Sequence, residues 1–136
     1  MEKTLLIIKP DGVERKVIGE VIRRVEKEGF QILQMKMIRM KRDEAERLYS
    51  IHQGKPFYPS LIEFIISGPV VLLLLERSNA ILKLRELAGK TNPSEAGRGT
   101  LRGDFGTNIQ VNVVHASDSR ETAEREISIF FPEGRR

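Results

Sequence analysis

Val70-Val71-Leu72-Leu73-Leu74-Leu75 is an unbroken apolar run, set between Ser67-Gly68-Pro69 and Glu76-Arg77-Ser78. It has the length of a strand and is too short for a buried helix. A run with no polar alternation belongs to a strand covered on both faces, so it is read as the central strand of a sheet. Toward the N-terminus, Thr4 to Ile8 is a second β-rich apolar segment, ended by the turn chemistry of Pro10-Asp11-Gly12. Val17, Ile18, Val21, Ile22 and Val25 recur at helical spacing and Gly29 follows, which predicts an amphipathic helix over 17–28. Ile32 to Met40 reads as a strand. Asp43-Glu44-Ala45-Glu46 has capping-box spacing and predicts a short helix through Tyr49, with a second over Pro59 to Ile66.

Toward the C-terminus, Ser78 is a candidate cap for a helix through Leu87 that Gly89 ends. Residues 90–110 are rich in glycine and polar groups and read as a long, functional loop. Gln110 to His115 alternates like a strand. Asp118-Ser119-Arg120-Glu121 again has capping-box spacing and opens a last helix. The resulting order, β-α-β-α-α-β-α-β-α, has the split βαβ plan at its core: an α+β fold of antiparallel strands with helices on one face.

At 136 residues, with 40% apolar and 31% charged side chains, the chain is expected to form one domain, 1–136, with a substantial core. The absence of Cys removes disulfides, thiolate catalysis and Cys-ligated zinc. No apolar run approaches the ~20 residues of a membrane span. The opening Met1-Glu2-Lys3-Thr4-Leu5-Leu6-Ile7-Ile8-Lys9-Pro10 is unlike a signal peptide. A cytoplasmic protein with no membrane partner is the expectation. The formal charge is +4, and Arg135 and Arg136 supply part of it. Since no Lys/Arg run exceeds two residues, the charge is a weak pointer to nucleic acid.

The reactive residues are few. There are two His, far apart in sequence, so their spacing offers no metal site. His52 lies on a polar helix end and reads as solvated. His115 ends a strand just before a helix start, where free N–H groups and the positive end of the dipole suit a phosphate. Ser117 and a glutamate of the last helix could orient its imidazole. Both Glu124 and Glu126 flank the Ala123/Ile127/Phe130 stripe, and periodicity does not separate them. Lys9 ends the first strand, either as a solvent charge or facing a site. Arg102, in Thr100-Leu101-Arg102-Gly103-Asp104, offers a fork for phosphate or a salt bridge to Asp104. Phe57-Tyr58 between Pro56 and Pro59 offers an aromatic plate for a base, or core packing. No G-x-x-x-x-G-K-[ST] or G-x-G-x-x-G occurs. Asp104-Phe105-Gly106 mimics a protein-kinase tripeptide without that fold's other motifs.

Ile8-Lys9-Pro10-Asp11-Gly12-Val13, Lys55-Pro56-Phe57-Tyr58, Ser67-Gly68-Pro69-Val70, Thr91-Asn92-Pro93, Gly99-Thr100-Leu101-Arg102-Gly103-Asp104-Phe105 and Asn112-Val113-Val114-His115-Ala116-Ser117-Asp118-Ser119 together resemble the nucleoside diphosphate kinase family, in its order and spacing, from Glu2 to about Phe131. The resemblance implies a ferredoxin-like α/β sandwich, a four-stranded antiparallel sheet with helices packed on it, assembling into hexamers or tetramers. It implies ping-pong transfer of a γ-phosphate from a nucleoside triphosphate to a nucleoside diphosphate, with ATP among the donors. His115 matches the family's nucleophile, and Glu126 and Ser117 match the residues that position it. Lys9, Tyr49, Arg85, Thr91, Arg102 and Asn112 match residues around the phosphates and sugar. Phe57 matches the aromatic that stacks on the base, with Leu61 and Ile109 beside it. Mg²⁺ is expected to arrive on the substrate phosphates. Three features depart from the family's pattern: Lys16 and Ala116 where Gly is usual, and the loop Ser94-Glu95-Ala96-Gly97-Arg98. The competing class is a ferredoxin-like module that binds nucleotide or nucleic acid without catalysis. Against it, the R-G-F-x-F signature of RNA-recognition sheets is absent, and nucleic acid is not the expected partner.

Overall fold

The structure, a computed structural model, describes residues 1–135, with side chains described through Glu133. The charges read at Arg135 and Arg136 belong to side chains outside those described. The elements are β1 (Glu2–Ile8), α1 (Pro10–Glu14), α2 (Ile18–Lys27), β2 (Gln31–Arg39), α3 (Arg42–Leu48), α4 (Tyr58–Ile65), β3 (Pro69–Arg77), α5 (Ala80–Ala88), α6 (Leu101–Phe105), β4 (Val114–Ala116) and α7 (Arg120–Phe130). Short 3-10 turns cover Ser50–His52 and Pro132–Arg135. The strands form one sheet in the order β2-β3-β1-β4, every neighbouring pair antiparallel.

The six-residue apolar run lies inside β3, a central strand, and all six side chains are buried. Because side chains alternate across a strand, Val70, Leu72 and Leu74 join Leu5 and Ile7 of β1 in one core, which α3, α4 and α7 close with Leu48, Ile62, Ile65, Ile127 and Phe130. Val71, Leu73 and Leu75 join Leu6 and Ile8 in a second core, closed by α2 and α5 with Val21, Val25, Ala80 and Leu84. The helices therefore cover both faces, where the element order alone suggested one. The cause is the unbroken apolarity of β1 and β3. A one-sided layer would expose half of these side chains, and each buried Leu or Ile contributes ~1.5–3 kcal/mol.

The local differences have local causes. Residues 110–113 do not pair as a strand: only Val114–Ala116 joins β1. The helical start near Asp43 falls one residue earlier, at Arg42, where Glu44 reaches back to accept from the Lys41 N–H at 2.9 Å. Asn79 rather than Ser78 precedes α5, in the left-handed region at φ 53° that Asn tolerates. Ser119 rather than Asp118 caps α7, its Oγ accepting from the Thr122 N–H at 3.0 Å. The turn after β1 closes into α1, and the 90–110 loop contains α6, capped by Thr100.

Candidate active site

β4 pairs Leu6 with Ala116, Ile7 with His115 and Ile8 with Val114. Val114 and Ala116 enter the core under α2 and α5, so alternation turns His115 to the opposite face, toward α7. There His115 Nε2 lies 3.0 Å from Glu126 Oε2, and Ser117 Oγ donates to Glu126 Oε1 at 2.7 Å. Glu126 is 1% exposed whereas Glu124 is exposed, which separates the two glutamates that spacing left equivalent. A carboxylate oxygen accepts, so the hydrogen-bond network assigns the ring proton to Nε2 and leaves the lone pair on Nδ1. Ser117, fully buried, sits behind Glu126 and fixes its rotamer.

Lys9 is buried, not a solvent charge. Its Nζ donates to Asn112 Oδ1 and to the Gln110 carbonyl, both at 2.9 Å. Burial, then repulsion from Arg102, lowers its pKa to about 8, and the nearby Asp11 charge opposes the drop. Asn112 is fixed in turn by donating from Nδ2 to the carbonyls of Thr91 (2.9 Å) and Ile109 (2.8 Å). Arg102, on α6, spans two backbone segments. It donates from Nη1 to the Gly89 carbonyl and from Nη2 to the Val114 carbonyl, both at 2.9 Å. It does not bridge to Asp104, which pairs with Arg24 at 2.8 Å. Burial, then the positive charge of Arg85, lowers the Arg102 pKa. α6 can seat this close because Gly103 has no Cβ: one added there would lie 2.2 Å from the Gly97 carbonyl oxygen.

Tyr49 meets the His115 ring edge-on, with centroids 6.0 Å apart. Its hydroxyl and the Arg102 Nε are buried donors with no partner among the described residues. Burial, then the Glu126 charge, raises the Tyr49 pKa, which keeps the hydroxyl a donor. Donors without acceptors are costly unless an anionic ligand supplies them.

Between Asn112 and Val114 the chain makes a γ-turn. The Val114 N–H donates to the Asn112 carbonyl at 2.9 Å, and Val113 sits at φ 75°. For a β-branched residue that conformation costs about 1–3 kcal/mol. Asp11 Oδ2 accepts from the Val113 N–H at 2.9 Å, and the Lys9 N–H donates to the Val113 carbonyl at 2.7 Å. Gly12 permits this approach, since a Cβ there would lie 2.8 Å from Ile8 Cγ2 and 3.2 Å from the Val113 carbonyl oxygen. The turn is why the alternating 110–113 stretch is not a strand.

These side chains line one cleft of about 980 Å³, shared by Lys9, Tyr49, Phe57, Leu61, Arg85, Thr91, Arg102, Ile109, Asn112, His115 and Glu126. Every site residue that the family resemblance implies borders it except Ser117, which lies behind; Tyr58 and Glu124, the other candidates, do not line it. Phe57, nearly half exposed, and Ile109, mostly exposed, stand at its apolar end. His52, read as solvated, is a correction. It borders the cleft, half-buried, with its ring 5.3 Å from that of Phe57, and burial followed by the Lys55 charge lowers its pKa. Asp11 and Val113 were missed as well. A polar Asp in an otherwise apolar approach to a turn was the available signal for the first.

The acidic residues at the cleft are Glu126, engaged with His115 and Ser117, and the exposed Asp118. Among the described residues no group of three His, Cys, Asp or Glu could hold a metal ion. No described helix is long and apolar enough to cross a membrane.

Comparison with known proteins agrees with the geometry. The family model for nucleoside diphosphate kinase matches residues 2–135. A nucleoside diphosphate kinase of Archaeoglobus fulgidus is 53% identical over 96% of this chain and 87% of its own. That of Methanocaldococcus jannaschii is 51% identical over 97% and 94%. Among solved structures, the Aquifex aeolicus nucleoside diphosphate kinase superposes with a TM-score of 0.93 at 42% identity, over 96% of this chain and 94% of that one. A Halobacterium salinarum nucleoside diphosphate kinase in complex with CDP superposes with a TM-score of 0.93 at 39% identity, over 96% and 87%. With a family match across nearly its whole length and a histidine-centred, cation-lined cleft, the chain belongs to the nucleoside diphosphate kinase family.

Proposed function

We propose that the chain moves a γ-phosphate between nucleotides through a phosphohistidine at His115. The observation that carries the reading is the lock of His115 Nε2 on Glu126 in a cleft that also holds two cations, the buried Lys9 and the half-buried Arg102. A neutral imidazole with its proton on Nε2 is a nucleophile at Nδ1. Nδ1 attacks the γ-phosphorus of a nucleoside triphosphate and an N–P bond forms. The bond from phosphorus to the β–γ bridging oxygen breaks, and the nucleoside diphosphate leaves with the electron pair. Glu126 holds the Nε2 proton and stabilises the positive charge that develops on the ring. A second nucleoside diphosphate then takes the phosphoryl group by the reverse path.

Charge on the phosphoryl oxygens is met by Lys9, Arg102 and the Tyr49 hydroxyl, with Arg85 and Thr91 toward the diphosphate. Asn112 orients Lys9 and faces the sugar. Phe57, Leu61 and Ile109 offer apolar surface to the base, and stacking without polar readout tolerates purines and pyrimidines alike. Mg²⁺, arriving on the nucleotide and ligated by phosphate oxygens and water, would neutralise triphosphate charge. The donor set fits such a carrier, because Glu126 is committed to His115 and Asp118 is the other carboxylate in reach.

The reading extends to a single domain over 1–136, a cytoplasmic location and assembly into hexamers or tetramers. The last is supported by the edge strand β2, which exposes Met35 and Met37. Light scattering measures the mass directly. Incubation with ATP and Mg²⁺ should leave one acid-labile phosphate per chain, on His115, discharged by any nucleoside diphosphate. His115→Ala should form none while melting like the parent. Full turnover by that variant would refute the assignment.

A further inference from the structure

We propose that Asp11 is a positioning residue for phosphoryl transfer, acting by holding Val113 in its left-handed turn. Asp11 is 8% exposed and bonds 102 residues along the chain, its Oδ2 accepting from the Val113 N–H at 2.9 Å. Holding a buried carboxylate there has a cost: burial raises its pKa, and its Oδ1 has no partner among the described residues. Such a group persists where it holds something less stable still.

Val113 is that neighbour. It is β-branched, fully buried and at φ 75°, a backbone region such residues leave when free to do so. Three parts of the cleft hang from this turn. Asn112, before it, accepts from Lys9 Nζ. Val114, after it, accepts from Arg102 Nη2. His115 follows, its place set by the three-rung pairing of β4 with β1. If Val113 relaxed, Lys9, Arg102 and His115 would shift together while the fold remained. Asp11 touches none of the reacting atoms. It acts through the turn.

The inference rests on the phosphohistidine reading, so it needs a readout of its own. Amide hydrogen exchange at Val113 reports the clamp, and the rate of phosphohistidine formation at saturating ATP reports its consequence. Asp11→Ala should speed Val113 exchange at least tenfold and slow phosphorylation at least tenfold, with a smaller effect on nucleotide affinity. Val113→Gly removes the conformational penalty. In the Asp11→Ala background it should recover most of the lost rate, although it leaves a gap in the core. All variants are assayed well below their melting temperatures. Val113 exchange unchanged by Asp11→Ala, or a rate loss that Val113→Gly does not recover, would overturn the proposal. If the parent protein forms no phosphohistidine, the functional reading fails alone, and exchange at Val113 still decides the clamp.

Discussion

His115 Nε2 and Glu126 Oε2 face each other at 3.0 Å, joining a three-residue strand to the second turn of α7. The other oxygen of Glu126 takes the Ser117 hydroxyl at 2.7 Å. The glutamate thus selects one tautomer of the imidazole and is itself held in one rotamer. Glu126→Ala removes both constraints, and turnover should fall on the order of 100-fold, as for a reacting group out of alignment. The Ser117 hydroxyl would lose its acceptor in the core, at a stability cost of about 1–3 kcal/mol. Rapid-quench phosphoenzyme kinetics and thermal melting measure the two effects.

Lys9, with its pKa at about 8, sets an alkaline limb. In the proposed mechanism the charged ammonium serves the phosphates, so kcat/KM should decline as pH rises through about 8. The triphosphate's negative charge favours the ammonium, so the corresponding limb in kcat should lie at higher pH. The stability effect has the opposite sign. Lys9 has a lower pKa folded than the ~10.4 of an unfolded lysine, so the unfolded chain binds more protons between about pH 8 and 10.4. The burial penalty is present in full below 8 and is relieved across that window, so this group's contribution favours folding as pH rises. Lys9→Met should abolish the alkaline limb of kcat/KM near 8, read from pH–rate profiles beside those of the parent.

Arg102 divides its fork between the Gly89 and Val114 carbonyls. A lysine has the charge but not the planar pair of donors. Arg102→Lys should lower kcat/KM roughly 10–100-fold, corresponding to the loss of about 1–3 kcal/mol of charged hydrogen bonding. Steady-state kinetics with ATP as donor provide the check.

Lys16, exposed at φ 61°, closes the turn after α1. A left-handed L-residue costs roughly 1–2 kcal/mol, and glycine's greater freedom when unfolded returns roughly 0.4–1 of that. Lys16→Gly should therefore stabilise the protein by up to about 1.6 kcal/mol and leave turnover unchanged. Denaturant midpoints and a standard assay test both halves.

Continuous apolarity made β1 and β3 legible in the sequence, and the helical spacing of Val17, Ile18, Val21, Ile22 and Val25 did the same for α2, because burial dictates those patterns directly. The same runs carried the evidence for helices on both faces, which the element order alone concealed. His115 and Lys9 stood out at strand ends, and the choice of Glu126 over Glu124 came from the family resemblance; the burial of Lys9 was not legible, because nothing local to Ile8-Lys9-Pro10 reveals that Asn112 and Gln110 close over it. The false strand over Gln110–Val113 arose because a two-residue alternation looks the same whether or not a carboxylate from Asp11 turns the chain. Caps slipped by a residue or two at Lys41, Asn79 and Ser119, where several adjacent polar residues compete for the same orphan N–H groups.

His115, the proposed nucleophile, rests on three rungs of pairing between β4 and β1. A slip of a single residue would turn His115 into the apolar layer beneath α2 and α5 and present Val114 or Ala116 to the nucleotide. Catalytic competence is therefore a yes-or-no gauge of registration at the sheet edge. A misregistered molecule could keep nearly all its secondary structure and its bulk, and still be silent in the assay.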